Sequence, residues 1–386
     1  MAELTKAVVD LRARVSQHQA AKLSDAWETA PDGRQVIEGP FGEMAFSYQR
    51  YDLQTSDQDW LTSLYATTAG GFGHGLLFSS GMGVIAAVAA VLSRRSLSGV
   101  AITPFAYFET HLLLQRFFPS LEVFDIESSD RTADVIWVDT SSTKWRQTIV
   151  ETARAPKVLV VDTTCFDACE AELRPWLTLG EQWRCPVILV RSHLKLDTFG
   201  LELGRLGSAV VVDSSSEGIG EAWALELKQA RSGFGTNFFP TMLYPWLGQS
   251  DFVDLAIARG AGIRLSTDQI EANIDPKNNP KVETLSTEHK LFFLVRTGLG
   301  LESDSPTVRD GVISHSLADA CAREGLPVFA ASSFGLDRVT ITDFVNMHDD
   351  EHYIRISGAD LPPGLSEQVG ATIASSLKGL VANVEG

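Results

Sequence analysis

Short apolar runs recur through the middle of the chain, spaced so that one helix fits between neighbours. Val100-Ala101-Ile102, Val135-Ile136-Trp137-Val138, Val158-Leu159-Val160-Val161, Val187-Ile188-Leu189-Val190 and Ala209-Val210-Val211-Val212 are each bounded by polar or turn-forming residues. Continuous apolar runs of this length are what strands buried on both faces look like. Residues 84–93 and 109–118 carry helical periodicity. Strands alternating with helices predict an α/β unit with a mostly parallel, helix-covered sheet. Ahead of this series, Val8, Val9, Leu11 and Val15 lie on or near one stripe, predicting an amphipathic helix over residues 1–25. Pro31 to Gly42 reads as a loop or arm and residues 57–68 as a helix. Gly70 to Gly75 reads as a loop before a short strand, Leu76-Leu77-Phe78. After Tyr244-Pro245 the pattern changes. A helical segment, residues 246–271, leads to a polar loop at Asp275 to Pro280 and then to the mixed short elements of an α+β unit. The expected organisation is an N-terminal helix and arm over 1–47, a large domain over 48–245 and a smaller C-terminal domain over 246–386.

Composition narrows the function classes. Of the 386 residues, 44% are hydrophobic and 21% charged, enough for an ordinary core. Acidic residues outnumber basic ones, 49 to 32, for a net charge of −17 without any Lys/Arg-rich run. That argues against a surface that tracks nucleic-acid phosphates and against docking on anionic lipid. The first 20 residues lack a signal-peptide core, and the longest apolar run, near Gly81 to Leu92, is too short to span a bilayer, so a cytoplasmic protein is expected. Cys165, Cys169, Cys185 and Cys321 are too few and scattered for a disulfide framework. The four-residue spacing of Cys165 and Cys169 suits one helix face, but no further Cys/His pair accompanies it, and no metal site is expected.

Candidate chemistry gathers at strand ends, where open α/β sheets place ligands. Ser79-Ser80-Gly81-Met82 turns a strand into a helix, and bare N–H groups at such a turn bind phosphate. Asp162 directly follows an apolar strand. An acid there is either a helix N-cap or a partner for a cationic ring nitrogen. Ser192-His193-Leu194-Lys195 follows the strand that ends at Val190, and a lysine beside a phosphate pocket is the residue type that forms a Schiff base. Taken together the three describe a site for pyridoxal 5'-phosphate.

Their order and wording resemble the Cys/Met-metabolism family of fold-type I pyridoxal-phosphate enzymes, which includes cystathionine γ-lyase, cystathionine γ-synthase and methionine γ-lyase. Ser80-Gly81-Met82 matches the family's Ser-Gly-Met turn, Val160-Val161-Asp162-Thr163-Thr164 its Val-Val-Asp-Asn-Thr, and Ser192-x-x-Lys195 its Ser-x-Thr-Lys. Tyr48-Gln49-Arg50 resembles Tyr-Ser-Arg, whose tyrosine and arginine reach the cofactor phosphate of the neighbouring subunit. Ala106-Tyr107 with Thr110 resembles the segment whose tyrosine stacks on the cofactor ring. Tyr353-Ile354-Arg355-Ile356-Ser357 resembles Leu-Ile-Arg-Leu-Ser, and Ser332-Ser333-Phe334-Gly335 resembles Ser-Leu-Gly-Gly; the arginine and the first serine bind the substrate α-carboxylate. The resemblance implies an aspartate-aminotransferase-like fold and a homodimer or homotetramer. It also implies cofactor contacts from Gly81, Met82, Tyr107, Asp162, Thr164, Ser192 and Lys195, with Tyr48 and Arg50 across the subunit boundary. Lys195, Tyr107 and Asp162 would be catalytic, and Arg355 and Ser332 would hold substrate.

The departures bear on the reaction. Leu194 replaces a phosphate-binding hydroxyl, Phe108 and Glu109 replace glycines after the stacking tyrosine, and Thr143 stands where the family has an asparagine. Glu109 is read as facing solvent in preference to serving as an extra base. The expected reaction is γ-elimination or γ-replacement on a small amino acid. The altered pocket suggests a specialised substrate, for example one that loses halide or an ester to leave an alkene or alkyne side chain. β-Elimination, aminotransfer, and a non-catalytic binding protein on the same scaffold are the alternatives. Retention of Lys195, Asp162 and Arg355 together speaks against the last.

Overall fold

A computed structural model describes residues 34–39, 42–47, 54–55, 72–127, 131–139, 154–166, 170–198, 205–213, 218–236, 250–274, 282–297, 306–331, 336, 338–346 and 351–385. The helices expected over 1–25 and 57–68 and the polar loop at 275–280 lie outside them. Among the described residues no helix is long and apolar enough to cross a membrane.

The Pro31–Gly42 segment is not simply a loop. β1 (Arg34–Gly39), β2 (Gly42–Ser47) and β3 (Gln54–Thr55) form a small antiparallel sheet in which Gly39 pairs with Gly42. Gly39 and Gly42 stand at the facing ends of the two strands.

The larger sheet holds seven strands: β4 (Phe72–Phe78), β5 (Gly99–Ile102), β6 (Glu122–Asp125), β7 (Val135–Asp139), β8 (Val158–Asp162), β9 (Val187–Ser192) and β10 (Gly207–Asp213). Their order is β4-β10-β9-β8-β7-β5-β6. β10 runs antiparallel to both neighbours, and the five strands from β9 to β6 are mutually parallel. β4 begins at Phe72, so four of the six residues of the Gly70–Gly75 stretch expected to be a loop are strand, paired residue for residue with β10.

Alternate residues of each strand feed two cores. Val158, Val160, Ile188 and Val190 join Val84, Val88 and Leu92 of α1 (Gly81–Arg94), Leu114 of α2 (Phe108–Phe117) and neighbouring residues. Leu159, Val161, Val187 and Leu189 join Leu173, Trp176 and Leu177 of α3 (Glu170–Trp183). Each fully buried Val, Leu or Ile contributes about 1.5–3 kcal/mol relative to exposure. α4 (Ile219–Gly233) adds Trp223 and Leu227 to the first core.

A second, five-stranded sheet follows α5 (Ser250–Asn273). It contains β11 (Val282–Ser286), β12 (Phe292–Thr297), β13 (Val328–Ala330), β14 (Val339–Val345) and β15 (His352–Ser357), in the order β11-β12-β15-β14-β13. Phe293, Val295, Ile354 and Ile356 face α5, α6 (Pro306–Arg323) and α7 (Pro363–Glu385). The intervening residues Phe292, Leu294, Phe344 and Tyr353 pack with Cys165 and Leu196, which follow β8 and β9, and with Phe105. One face of the smaller sheet therefore sits over the strand ends of the larger one, and Arg355, between Ile354 and Ile356, shares the alternation of Tyr353.

Candidate active site

β7 and β8 are parallel and in register, so Asp139 lies opposite Asp162 at their carboxyl ends. Both are buried, 3% and 7% exposed. Burial and the neighbouring Asp139 push the Asp162 carboxyl up to about 7; hydrogen bonds from Thr164 and the charge of Arg191 only partly oppose this. Asp162 Oδ1 accepts from the Thr164 N–H at 2.9 Å, and Thr164 Oγ1 accepts from the Ser192 N–H at 3.0 Å. Two of the three predicted strand ends are thus joined through Thr164.

The third is the start of α1. Ser80 caps the helix, its Oγ accepting from the Gly83 N–H at 3.0 Å. Gly81 and the half-buried Met82 open the first turn, where backbone N–H groups have no intrahelical acceptor, and no acidic residue stands there. A Cβ on Gly81 would lie 2.7 Å from the Ser192 Cβ, and one on Gly207 would lie 2.7 Å from the Gly81 nitrogen. Only glycine permits both approaches, which press the helix start against the lysine-bearing turn. Lys195 is half-buried there, and its carbonyl accepts from the Thr198 N–H at 3.2 Å in the 3₁₀ turn Leu196–Thr198.

Tyr107 precedes α2, and its N–H donates to Asp139 Oδ2 at 2.7 Å. Its phenol donates to Glu109, and burial together with that carboxylate raises its pKa, so the hydroxyl keeps its proton at neutral pH. This corrects the expectation that Glu109 only faces solvent: it is half-buried and engaged with Tyr107. Phe108, 41% exposed, sets its ring edge-on to Tyr107 with centroids 5.2 Å apart.

Arg355 arrives from the smaller sheet and is 8% exposed. Burial lowers its pKa to about 10; the fields of Cys165, Tyr107 and Asp343 work the other way. A buried cation within electrostatic reach of Tyr107 is suited to a carboxylate ligand. Cys165, Cys185 and Cys321 are buried free thiols. Tyr48, Arg50, Ser332, Thr143 and Cys169 lie outside the described residues.

The structure adds residues that sequence reasoning passed over. Asp139 ends an apolar strand just as Asp162 does, and that parallel was the available signal. Arg191, His193 and Asp197 sit inside the lysine motif itself, buried at 2%, 0% and 8% exposure.

No protein-family model matches the chain, and no curated protein does. Solved structures do match. Cystathionine γ-synthase from Xanthomonas oryzae pv. oryzae, in complex with cystathionine, is 14% identical with a TM-score of 0.55, over 86% of this chain and 89% of that one. A Campylobacter jejuni protein assigned as O-acetylhomoserine (thiol)-lyase, carrying N'-pyridoxyl-lysine-5'-monophosphate, is 12% identical with a TM-score of 0.52, over 82% and 83%. An aromatic amino acid aminotransferase from Burkholderia cenocepacia is 13% identical with a TM-score of 0.52, over 95% and 87%. The likenesses show the fold: this chain has the aspartate-aminotransferase-like fold of fold-type I pyridoxal-phosphate enzymes.

Proposed function

We propose that the chain is a pyridoxal-phosphate-dependent enzyme that catalyses γ-elimination or γ-replacement on a small amino acid, acting as a cytoplasmic homodimer or homotetramer. The observation that carries this reading is the meeting of Asp162, the Gly81 helix start, the Ser192–Lys195 turn and the buried Arg355 at one set of strand ends. The residues fit the cofactor. Arg191 only partly offsets the burial and the Asp139 charge that push the Asp162 carboxyl up, and a protonated ring nitrogen would supply the remaining positive charge. The acid-free start of α1 offers N–H groups to a phosphate.

When bound, the cofactor supplies an electron sink for the pair released at Cα. Asp162 holds the proton on the ring nitrogen. The start of α1, with Ser192 beside it, holds the phosphate. The Lys195 amine takes a proton from Cα and then from Cβ, the second removal permitting loss of a γ substituent. Tyr107, kept protonated by Glu109 and burial, turns its single O–H from Glu109 to the departing group. The packing of Cys165, Leu196, Phe292 and Tyr353 shields the strand ends from water.

The pocket departs from the resembled family at Leu194, Phe108 and Glu109. This supports a specialised substrate, with loss of halide or an ester leaving an alkene or alkyne side chain. Incubation with a panel of γ- and β-substituted amino acids, with products identified by mass spectrometry, tests the reaction. Loss of the γ substituent is expected, giving a γ-substituted or unsaturated amino acid that keeps its amine, or an oxo acid with ammonia. Products of β-substituted substrates alone, or an oxo acid formed with the aminated cofactor, would replace this reading by β-elimination or aminotransfer.

Arg355 is expected to fork onto the substrate α-carboxylate. Lysine cannot reproduce the two parallel hydrogen bonds, and losing one charged bond costs about 1.5–3 kcal/mol, or about 10–100-fold. Arg355→Lys should raise KM by that factor and leave the cofactor's visible absorption in place. Equal loss with an amine analogue lacking the carboxylate would refute the contact.

Tyr48 and Arg50 are expected to reach the phosphate of a neighbouring subunit, compensating for Leu194. Mixing Arg50→Ala with Lys195→Ala chains should then restore activity, because some hybrid dimers hold one intact site. No recovery despite proven subunit exchange would place the contacts within one chain.

A further inference from the structure

Behind the lysine-bearing turn lies a buried polar cluster that the chemistry above does not use. Arg191 and Asp197 form a forked ion pair, Nε to Oδ2 at 2.7 Å and Nη2 to Oδ1 at 2.6 Å. The same Oδ2 lies 2.6 Å from His193 Nδ1, and His193 Nε2 lies 2.8 Å from Ser208 Oγ. Arg191 and His193 hold the Asp197 carboxyl well below the usual range, so it is ionised and can only accept. His193 therefore donates from Nδ1. All four side chains are buried, with Ser208 at 1% exposure.

The arms of this cluster end on three different parts of the site. Arg191 Nη1 donates to the carbonyl of Phe166 at 2.7 Å and to that of Thr163, bracing the segment that follows Asp162. His193 and Asp197 flank Lys195, two residues to either side. Ser208 follows Gly207, whose backbone abuts the Ser80–Gly81 turn. A buried ion pair is a poor device for stability alone, since well-packed apolar residues of similar volume often serve as well or better. What this one does is tie together the backbone of three segments distant in sequence, 28 residues apart in the case of Arg191 and Thr163.

We propose that Arg191, His193 and Asp197 are positioning residues that fix Lys195 against Asp162 and the Ser80–Gly81 turn, so that pyridoxal phosphate held by the latter two meets the Lys195 amine. This rests on the functional reading above. The balance is simple: the amine condenses with the cofactor aldehyde and one water leaves.

The test uses the full chain freed of cofactor. Pyridoxal phosphate is added back, and the rate at which borohydride-stable label enters Lys195 is followed beside the melting temperature. In the double variant R191M/D197L an apolar pair replaces the ion pair, so the fold is expected to survive while labelling slows at least about tenfold, as for a loss near 1.4 kcal/mol. Ser208→Ala removes one hydroxyl and should slow labelling about 2–10-fold, the worth of one neutral hydrogen bond. A merely structural role would move melting temperature and not this rate. Labelling at the wild-type rate in a folded double variant overturns the positioning role. Should that variant fail to fold, Ser208→Ala decides: slowing supports the role and an unchanged rate overturns it. If wild-type protein takes no label at Lys195, the functional reading itself falls, and this inference with it.

Discussion

Lys195→Ala is expected to abolish borohydride-stable labelling of the 191–198 segment by pyridoxal phosphate and to cut turnover by about 10³-fold or more. Two losses combine. The amine is the proposed point of covalent attachment, and no other described lysine lies between Ser192 and the 3₁₀ turn Leu196–Thr198. The same amine is the proposed base at Cα and Cβ, and a positioned base alone is worth about 10²–10⁴-fold. Binding is expected to fall much less than turnover. The start of α1 is unchanged by the substitution, and Asp162 keeps its hydrogen bond from Thr164. Free cofactor should therefore still associate, with the absorption of the unattached aldehyde. Peptide mapping after reduction checks the assignment, and label on any other lysine would refute it.

The central strands were readable because burial on both faces keeps them apolar up to their last residue: β7 and β8 are buried at every position and polar only at their terminal aspartates. Asp162 stood out against that run. Other features left weaker traces. Edge strand β6, Glu122–Asp125, buries only Phe124 fully, and its mixed composition carries no strand signal. The Gly-rich start of β4 looks like a loop because its order comes from pairing with β10, which local composition does not encode. Arg355 between two isoleucines was legible as a strand residue, but its seat at the larger sheet's strand ends depends on how the two sheets pack. Arg191, His193 and Asp197 resemble surface charges in the sequence. Their burial is set by the carbonyls of Thr163 and Phe166 and by Ser208, none of which adjoins them in the chain.

Asp162→Asn is expected to lower turnover strongly and, in the cofactor-free protein, to flatten the dependence of stability on pH. In the folded chain without cofactor, the Asp162 carboxyl is pushed up to about 7 by burial and by Asp139. Unfolded, an aspartate titrates near its ordinary value of about 3.9. Between those values the folded state binds the proton and the unfolded state has released it, so this group's contribution to stability falls as pH rises from about 4 to about 7, by a few kcal/mol at most. Asparagine keeps an oxygen to accept from Thr164 and has no such titration, so melting temperatures at pH 5, 6 and 7 should decline less in the variant than in the parent. A protonated ring nitrogen beside Asp162 reverses the situation, since it favours the carboxylate and gains from it. Cofactor should therefore stabilise the parent more at pH 7 than it stabilises Asp162→Asn. Removing one partner of a buried ion pair costs about 3–5 kcal/mol, which corresponds to about 10²–10⁴-fold in rate if all of it is felt in the transition state. Identical pH slopes in the two cofactor-free proteins, together with turnover near that of the parent, would show that Asp162 is only a cap for the turn that follows β8.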